Sequence, residues 1–314
     1  MSVPTLQHLA ARLKLRHFVL LAELDLHRSV SRAAQHIGLS QPTVTRALGE
    51  IESIFMTTLF TRSRRGLEPT AAGVLVLARA RVALADAASL GQDLAALGTG
   101  LQGRLRIGVI PFLSRITQDA VWQHLLALRP RLGFVVEEAT THALVQAVRA
   151  RTLDCAICRF TPAGTEAGLA QQFLYKQEPR LVVSRAAAQR LLRRGLDWDA
   201  FVSLHWIFPP ADTPIRQMIH SIFASAGQPV PVPVLEAYAQ KTLVSVLRHM
   251  PDAITILPED IAQEVADASG ARVMPQRLQW NLPPVGVVRL HDAANSGIVD
   301  ALTEALRRVR VAKP

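Results

Sequence analysis

The spacing of apolar residues changes character near residue 100. Before that point the period is helical. Leu15, Phe18, Val19, Leu21 and Ala22 recur near helical spacing and predict a helix over about Leu13–Leu24. A second helix opens at Ser29, a favourable N-cap, and runs to about Ile37; a third opens at Ser40 and runs to about Phe55. Pro42 falls in the first turn of the third, where its missing N–H costs nothing. Leu59–Pro69, with Arg62, Arg64, Arg65 and Gly66, reads as a short hairpin or wing, and Thr70 then caps a long helix reaching about Leu97. Gly98–Gly103 is the first clear linker. Beyond it, apolar runs alternate with helical segments: Leu105–Ile110 then Ser114–Leu128, Phe134–Glu137 then His142–Arg149, and Cys155–Cys158. The rhythm resumes at Leu181–Val183, Trp206–Phe208, Val232–Leu235, Ala253–Leu257 and Val285–Arg289, with a last helix over about Ser296–Arg310. This is the β-α-β alternation of a parallel sheet covered by helices, and its length suggests two α/β subdomains. Met1–Leu9 and Arg310–Pro314 carry no pattern and are expected to be disordered.

The stretch Ser29–Glu52 has the chemistry of a helix-turn-helix. Ala33 and Ala34 are small enough for another helix to approach, Gly38 can take the left-handed conformation that ends a helix, and Ser40 restarts the chain. The N-terminal end of the second helix carries Gln41, Thr43, Thr45 and Arg46, whereas Val44, Leu48 and Ile51 form the opposite, apolar stripe. Gln41 can pair bidentately with adenine, and Arg46 can reach guanine or phosphate. Ser40 and the helix N-terminus can hold a phosphate.

Composition agrees with this. Lys and Arg number 35 against 25 Asp and Glu, a formal net charge of +10, which favours a polyanionic partner. Two cysteines, Cys155 and Cys158, make no disulfide framework and suit a reducing cytoplasm. No basic-then-apolar leader opens the chain, and Arg79, Arg81, Asp86 and Asp93 interrupt its most apolar long stretch, so neither export nor a membrane partner is expected.

The residues Ala33-Ala34, Leu39-Ser40-Gln41-Pro42, Glu52, Leu59-Phe60-Thr61-Arg62-Ser63-Arg64-Arg65-Gly66 and Pro69-Thr70-Ala71-Ala72-Gly73 together resemble the winged helix-turn-helix of LysR-type transcriptional regulators, without a gap from about Leu15 to Leu97. The resemblance implies that Ser29, Arg32, Ser40, Gln41, Pro42, Thr43, Thr45 and Arg46 face DNA, that Arg62, Arg64 and Arg65 form the wing, and that Thr70 starts the linker helix. That helix is rich in Ala and Leu around most of its circumference. Its pattern alone fits a core helix or a dimer helix; the resemblance implies antiparallel pairing in a homodimer or homotetramer. Two departures stand out. Met56 occupies a position where the family usually has Gly, and a left-handed Met would cost about 1 kcal/mol. The turn there is therefore expected to differ locally. Gly49 sits inside the recognition helix, at a further cost of about 1 kcal/mol.

The resemblance continues more weakly from Gly103-Arg104-Leu105-Arg106-Ile107-Gly108 to the end, and implies a fold similar to periplasmic solute-binding proteins, with an effector held between two subdomains. The expected domains are a winged helix-turn-helix over 1–69, a linker helix and hinge over 70–103, and an effector domain over 104–314, its first subdomain at about 104–160 plus 282–310 and its second at about 161–281. Candidate effector contacts are Ser114, Thr140 and Thr141 at helix starts, Phe160, Phe208 and Pro209 as an apolar wall, and Lys241 as partner to an acid. As a set they favour a small organic or aromatic acid.

Other motifs are weaker. Gly98-Thr99-Gly100-Leu101-Gln102-Gly103 formally matches a dinucleotide fingerprint, but it follows a helix and opens a strand, the reverse of what that fingerprint requires. Cys155 and Cys158 lack a second pair for zinc and read as buried thiols. His205, His220, His249 and His291 are isolated in sequence, and Asp154 and Glu137-Glu138 carry no mark of an acid/base pair. No nucleophile elbow, P-loop or metal-binding helix is visible, so no enzyme, cofactor or metal is expected. The expected function is an effector-responsive DNA-binding regulator in the cytoplasm, acting on an inverted-repeat operator, with RNA polymerase left open as a further partner. The alternatives are a regulator that needs no effector and a solute-binding protein with an accessory N-terminal domain.

Overall fold

The computed structural model describes residues 4–64, 66–98, 103–128, 132–160, 168–194, 201–275, 282–292 and 295–311. Two compact units emerge, the first running to the end of the long helix and taking in Arg149–Thr152 as well, the second formed by the remainder from the strand that follows.

The first unit contains α1 (Leu6–Arg12), α2 (Leu15–His27), α3 (Val30–His36), α4 (Gln41–Phe55), the hairpin β1 (Phe60–Ser63) and β2 (Gly66–Pro69), and α5 (Ala71–Gly98). Helix starts follow the capping residues. Ser29 accepts from the Arg32 N–H, Ser40 from the Thr43 N–H and Thr70 from the Gly73 N–H. The core is one cluster of Leu20, Leu21, Leu24, Ala33, Ala34, Val44, Ile51, Leu59, Phe60, Leu67 and Leu77. Ala33 has no exposed surface, as close approach of the neighbouring helices demands. Two expectations are corrected here. Leu6–Arg12 is a helix, capped by Thr5 and tied through His8 Nε2 to the Ile54 carbonyl at 3.1 Å, rather than a disordered end. Met56 does adopt the left-handed conformation, at φ 54°, closing α4 where the family has glycine, so the turn keeps its shape and carries the strain. Gly66 is required on two counts: its φ is +109°, and a Cβ there would lie 2.6 Å from the Arg28 carbonyl.

Among the described residues, the second unit holds two five-stranded sheets. The first comprises β3 (Gly103–Val109), β4 (Leu132–Glu138), β5 (Cys155–Arg159), β6 (Leu169–Tyr175) and β12 (Val285–Leu290), in the order β4-β3-β5-β12-β6, flanked by α6 (Arg115–Ala127), α7 (Thr141–Arg149) and α12 (Ser296–Val311). The second comprises β7 (Pro179–Val183), β8 (His205–Phe208), β9 (Leu235–Glu236), β10 (Ala253–Pro258) and β11 (Arg272–Val273), in the order β11-β7-β10-β8-β9, with α8 (Arg185–Arg194), α9 (Pro214–Ser225), α10 (Gln240–His249) and α11 (Glu259–Ser269). Every residue of β5 and β10 is buried, which is why both read as unbroken apolar runs.

The sheets are mixed, not wholly parallel as the rhythm suggested. β12 runs antiparallel to β5 and β6, and β7 antiparallel to β10 and β11. β6 belongs to the first sheet, so that sheet extends past the boundary near residue 160 drawn from the sequence. The chain crosses between sheets after β6, through Lys176–Glu178, and returns before β12.

Candidate nucleic-acid interface and effector cleft

α4 presents two faces. Val44, Ile51 and Ile54 are buried, while Gln41, Pro42, Thr43, Thr45 and Arg46 are exposed along the N-terminal half. Short-range hydrogen bonds hold this polar face in place. Ser40 Oγ lies 2.7 Å from Thr43 Oγ1, and Thr45 Oγ1 donates to the Gln41 carbonyl at 3.0 Å. Ser31 on α3, a residue the sequence did not single out, donates to Gln41 Oε1 at 3.1 Å. That bond uses the Gln41 carbonyl oxygen and not its amide N–H groups. Arg32 is exposed on the same short helix, and Ser29 is half-buried as its cap.

The wing is fixed to α4 by one carboxylate. Glu52 Oε1 accepts from the Leu59 N–H at 2.7 Å and the Phe60 N–H at 3.2 Å, gripping the strand as it leaves the turn. Pairing of Phe60 with Pro69 through Ser63 with Gly66 then sets out Arg62 on β1 and Arg64 in the turn, both exposed. Arg65, expected beside them, lies outside the described residues, as do residues 99–102 of the expected hinge. The start of α5 presses on the same strand: a Cβ at Gly73 would meet the Leu59 carbonyl at 2.0 Å.

α5 packs against α2 and buries Leu77 and Ala80. Val74, Leu75, Leu90 and Leu94 remain more than half exposed, and the last three fall on one side of the helix, so apolar surface stays uncovered there.

In the second unit, side chains converge where the chain crosses between the two sheets. Arg159, at the end of β5, is 2% exposed. Its Nη1 donates to the Pro283 carbonyl at 2.9 Å and its Nη2 to Gln177 Oε1 at 2.6 Å. Gln177 lies in the outgoing crossover and Pro283 in the return, so one guanidinium ties both. The Gln177 amide donates to the Phe112 carbonyl at 3.2 Å and to the Asp260 carboxylate at 2.9 and 3.1 Å. Burial holds the Arg159 pKa below the usual guanidinium range, opposed by Tyr238, Tyr175 and Asp260. Burial also pushes the Tyr238 hydroxyl up to about 12. The Phe112 ring meets Tyr238 edge-on, centroids 5.0 Å apart. The sequence did not signal Arg159, Gln177 or Tyr238. An arginine closing an apolar strand looks like a solvated end, and its partners lie far along the chain.

The sequence-selected effector residues fall unevenly around this cluster. Ser114 is 2% exposed, caps α6 and donates its backbone N–H to the Tyr175 hydroxyl oxygen at 3.5 Å. Thr140 donates to Asp212 Oδ2 at 2.8 Å, linking the two sheets' layers, and the adjacent Thr141 is buried. The Phe160 ring lies over Gly286, where a Cβ would come within 2.1 Å of it. Phe208 is fully buried in the second subdomain's core, beside Trp206 and under the Arg216 guanidinium at 4.5 Å; Pro209 follows it and accepts from Arg216. Lys241 is exposed near the start of α10. A concavity lined by Arg185, Gln263, Asp267 and Arg272 contains none of these candidates.

Cys155 and Cys158 are free thiols with no exposed surface. Burial raises both, Cys158 to about 12, so neither forms a thiolate readily. The structure also assembles a cluster not foreseen from the sequence: Glu23, His27 and His36 meet at the junction of α2 and α3. No helix among the described residues is long and apolar enough to cross a membrane.

A helix-turn-helix with a wing, followed by two α/β subdomains, defines a DNA-binding regulator with a ligand-binding domain. Residues 15–74 match the model of the bacterial regulatory helix-turn-helix protein, lysR family, and residues 98–310 match the LysR substrate binding domain. The chain belongs to the LysR family of transcriptional regulators. It is 28% identical to the HTH-type transcriptional regulator GbpR of Azospirillum brasilense, over 95% of this chain and 87% of that one. It is 29% identical to the HTH-type transcriptional regulator GalR of Pseudomonas putida, over 94% of this chain and 73% of that one. Among solved structures, CbnR, a LysR family transcriptional regulator, superposes with a TM-score of 0.61 at 18% identity, covering 95% of this chain and 99% of that one.

Proposed function

We propose that this regulator reads an inverted-repeat operator through the exposed N-terminal half of α4, as a homodimer or a dimer of dimers. The carrying observation is the polar face of Gln41, Thr43, Thr45 and Arg46, opposite buried Val44 and Ile51 and locked by Ser40 and Ser31. Gln41 and Arg46 contact base edges; Ser29, Arg32, Ser40, Pro42 and the wing residues Arg62, Arg64 and Arg65 lie along the phosphates. CbnR, of similar fold, has been solved with its target DNA, which supports a DNA partner here. The exposed apolar face of α5 serves self-association, and two half-sites bound together raise the affinity of one small helix. The site of action is the cytoplasm, where the chromosome is.

The effector is a small organic acid, aromatic ones included, held between the two α/β subdomains. The α6 N-terminus at Ser114 offers backbone N–H groups, and the buried Arg159 offers positive charge beside Tyr175 and Tyr238. Binding there acts on Gln177 and Pro283, the two crossovers, and so biases how the subdomains close. The role of this cleft is ligand sensing. Only a ligand with different affinity for two arrangements can shift them.

The test is operator binding by fluorescence anisotropy with sequence-selected DNA. Gln41→Ala is expected to relax base choice at one position per half-site, at about 1–3 kcal/mol of discrimination. Arg64→Ala is expected to weaken binding to all sequences and flatten the salt dependence. If Gln41→Ala alters neither affinity nor preference, α4 does not read the bases.

A further inference from the structure

Glu23 and His27 stand one turn apart on α2, and His36 ends α3. His27 Nε2 lies 3.3 Å from Glu23 Oε2, and His36 Nδ1 lies 2.7 Å from the same oxygen. The two imidazole rings are 4.9 Å apart, tilted by 51°. All three ligand atoms fall within 4.8 Å of one another. Closeness has not produced hydrogen bonds: Glu23 Oε2 and His27 Nε2 are shielded from solvent and neither has a hydrogen-bonding partner. Buried polar atoms are almost always partnered, and an ion is one of the recognised explanations when they are not. Here one carboxylate oxygen and two imidazole nitrogens lie together in one small volume, two of them unpartnered.

The surroundings leave Glu23 to this role. The other carboxylate of the same turn, Asp25, is taken by Arg28 at 3.0 Å and by Arg81. Among the described residues, Glu23 lies within ion-pair distance of the two histidines and of no Lys or Arg. Two neutral imidazoles and one carboxylate form the donor set that zinc and its neighbours in the first transition row accept. With metal–ligand bonds of about 2.0–2.2 Å, tetrahedral ligands sit about 3.4 Å apart, close to the Glu23–His27 separation. His36 has to retreat by a fraction of an ångström, which its 59% exposed side chain permits.

We propose that Glu23, His27 and His36 bind one divalent transition-metal ion, zinc above all, with water in the fourth position. The ion would tie the end of α2 to the end of α3. α3 carries Ser31 and Arg32 on its outer side, and the chain leaves His36 through Ile37 and the left-handed Gly38 into α4. A metal at this junction therefore braces the angle on which the DNA-reading face depends, and it lies entirely within the first unit.

The experiment uses the full-length, untagged chain stripped with chelator and titrated with zinc chloride, with cobalt(II) chloride as a spectroscopic probe. One zinc per chain is expected to bind and to raise the thermal midpoint, and cobalt(II) is expected to give visible bands of tetrahedral strength. His36→Gln and Glu23→Gln should lower affinity by more than the roughly 10–100-fold that loss of an outer-shell partner costs, and abolish the cobalt bands. Circular dichroism of the stripped variants checks folding; should Glu23→Gln unfold, the exposed His36→Gln decides alone. Wild-type protein that binds no zinc under these conditions overturns the proposal. So does zinc binding of equal affinity in wild type and His36→Gln, which would place the metal on other histidines.

Discussion

Met56 shows what a single backbone angle asks of a residue. Its φ of 54° closes α4, with the Met56 N–H donating to the Ser53 carbonyl and the Thr57 N–H to the Glu52 carbonyl. The residue is 54% exposed, so little packing offsets the strain. Met56→Gly is expected to stabilise the first unit by about 1 kcal/mol, read as a higher urea midpoint with unchanged slope. A lower midpoint would mean that the methionine side chain contributes more than its exposure suggests. The buried thiols make a second prediction at this scale. Below about pH 9 they are protonated in both folded and unfolded chains. Above it the unfolded chain ionises while Cys158 holds its proton to about 12, and Cys155 is raised further in the same direction. The unfolded state then binds fewer protons, so stability falls as pH rises through the window from 9 to about 12. Replacing both cysteines with alanine should flatten that fall, and Ellman's reagent should label neither thiol at pH 8 until the protein unfolds. Rapid labelling of the folded protein would contradict their burial.

Among the elements, the coupling of recognition helix to wing rests on Glu52. Its carboxylate oxygen receives two backbone N–H groups from the entry to β1, bonds strengthened by the acceptor's charge. Glu52→Ala should cost about 2 kcal/mol of stability and weaken DNA binding through a displaced wing, while Glu52→Gln keeps an acceptor and loses less. Equal losses in denaturant melts would show that charge, not hydrogen-bond geometry, holds the wing. Glu52 was legible in sequence as part of a family pattern, and the helix starts at Ser29, Ser40 and Thr70 were legible as caps because one side-chain oxygen decides each. Other elements were hidden for physical reasons. α1 is seven residues long with no buried member, so it leaves no apolar stripe. β6 carries Gln171 and Gln172 in its middle, which breaks the alternation that marks a strand. The antiparallel run of β12 cannot be read from periodicity, since a strand's pattern is the same in either direction. In the cleft, Ser114 was legible as a cap, but Arg159 acquires its meaning from Gln177 and Pro283, which only the folded sheets bring near.

At the scale of the whole molecule the unresolved energy lies on α5. A 28-residue helix that buries Leu77 and Ala80 against its own unit still leaves Leu90 at 61% and Leu94 at 59% exposure, one turn apart. Each leucine fully buried against a partner is worth about 1.5–3 kcal/mol, and a two-fold symmetric contact counts every residue twice. The double variant Leu90→Glu, Leu94→Glu therefore removes enough to dissociate a dimer built on this face, and it adds like charges where two copies would meet. Because both side chains are exposed, the fold of each chain should survive, as judged by an unchanged far-ultraviolet circular dichroism spectrum. Light scattering is expected to report monomers at concentrations where the wild type is a dimer or larger. Binding to a single half-site should change little, whereas binding to the full inverted repeat should fall by about a hundredfold or more, because linkage of two half-sites is what the second chain supplies. If the variant stays oligomeric with full operator affinity, the self-association surface is elsewhere and α5 serves some other contact.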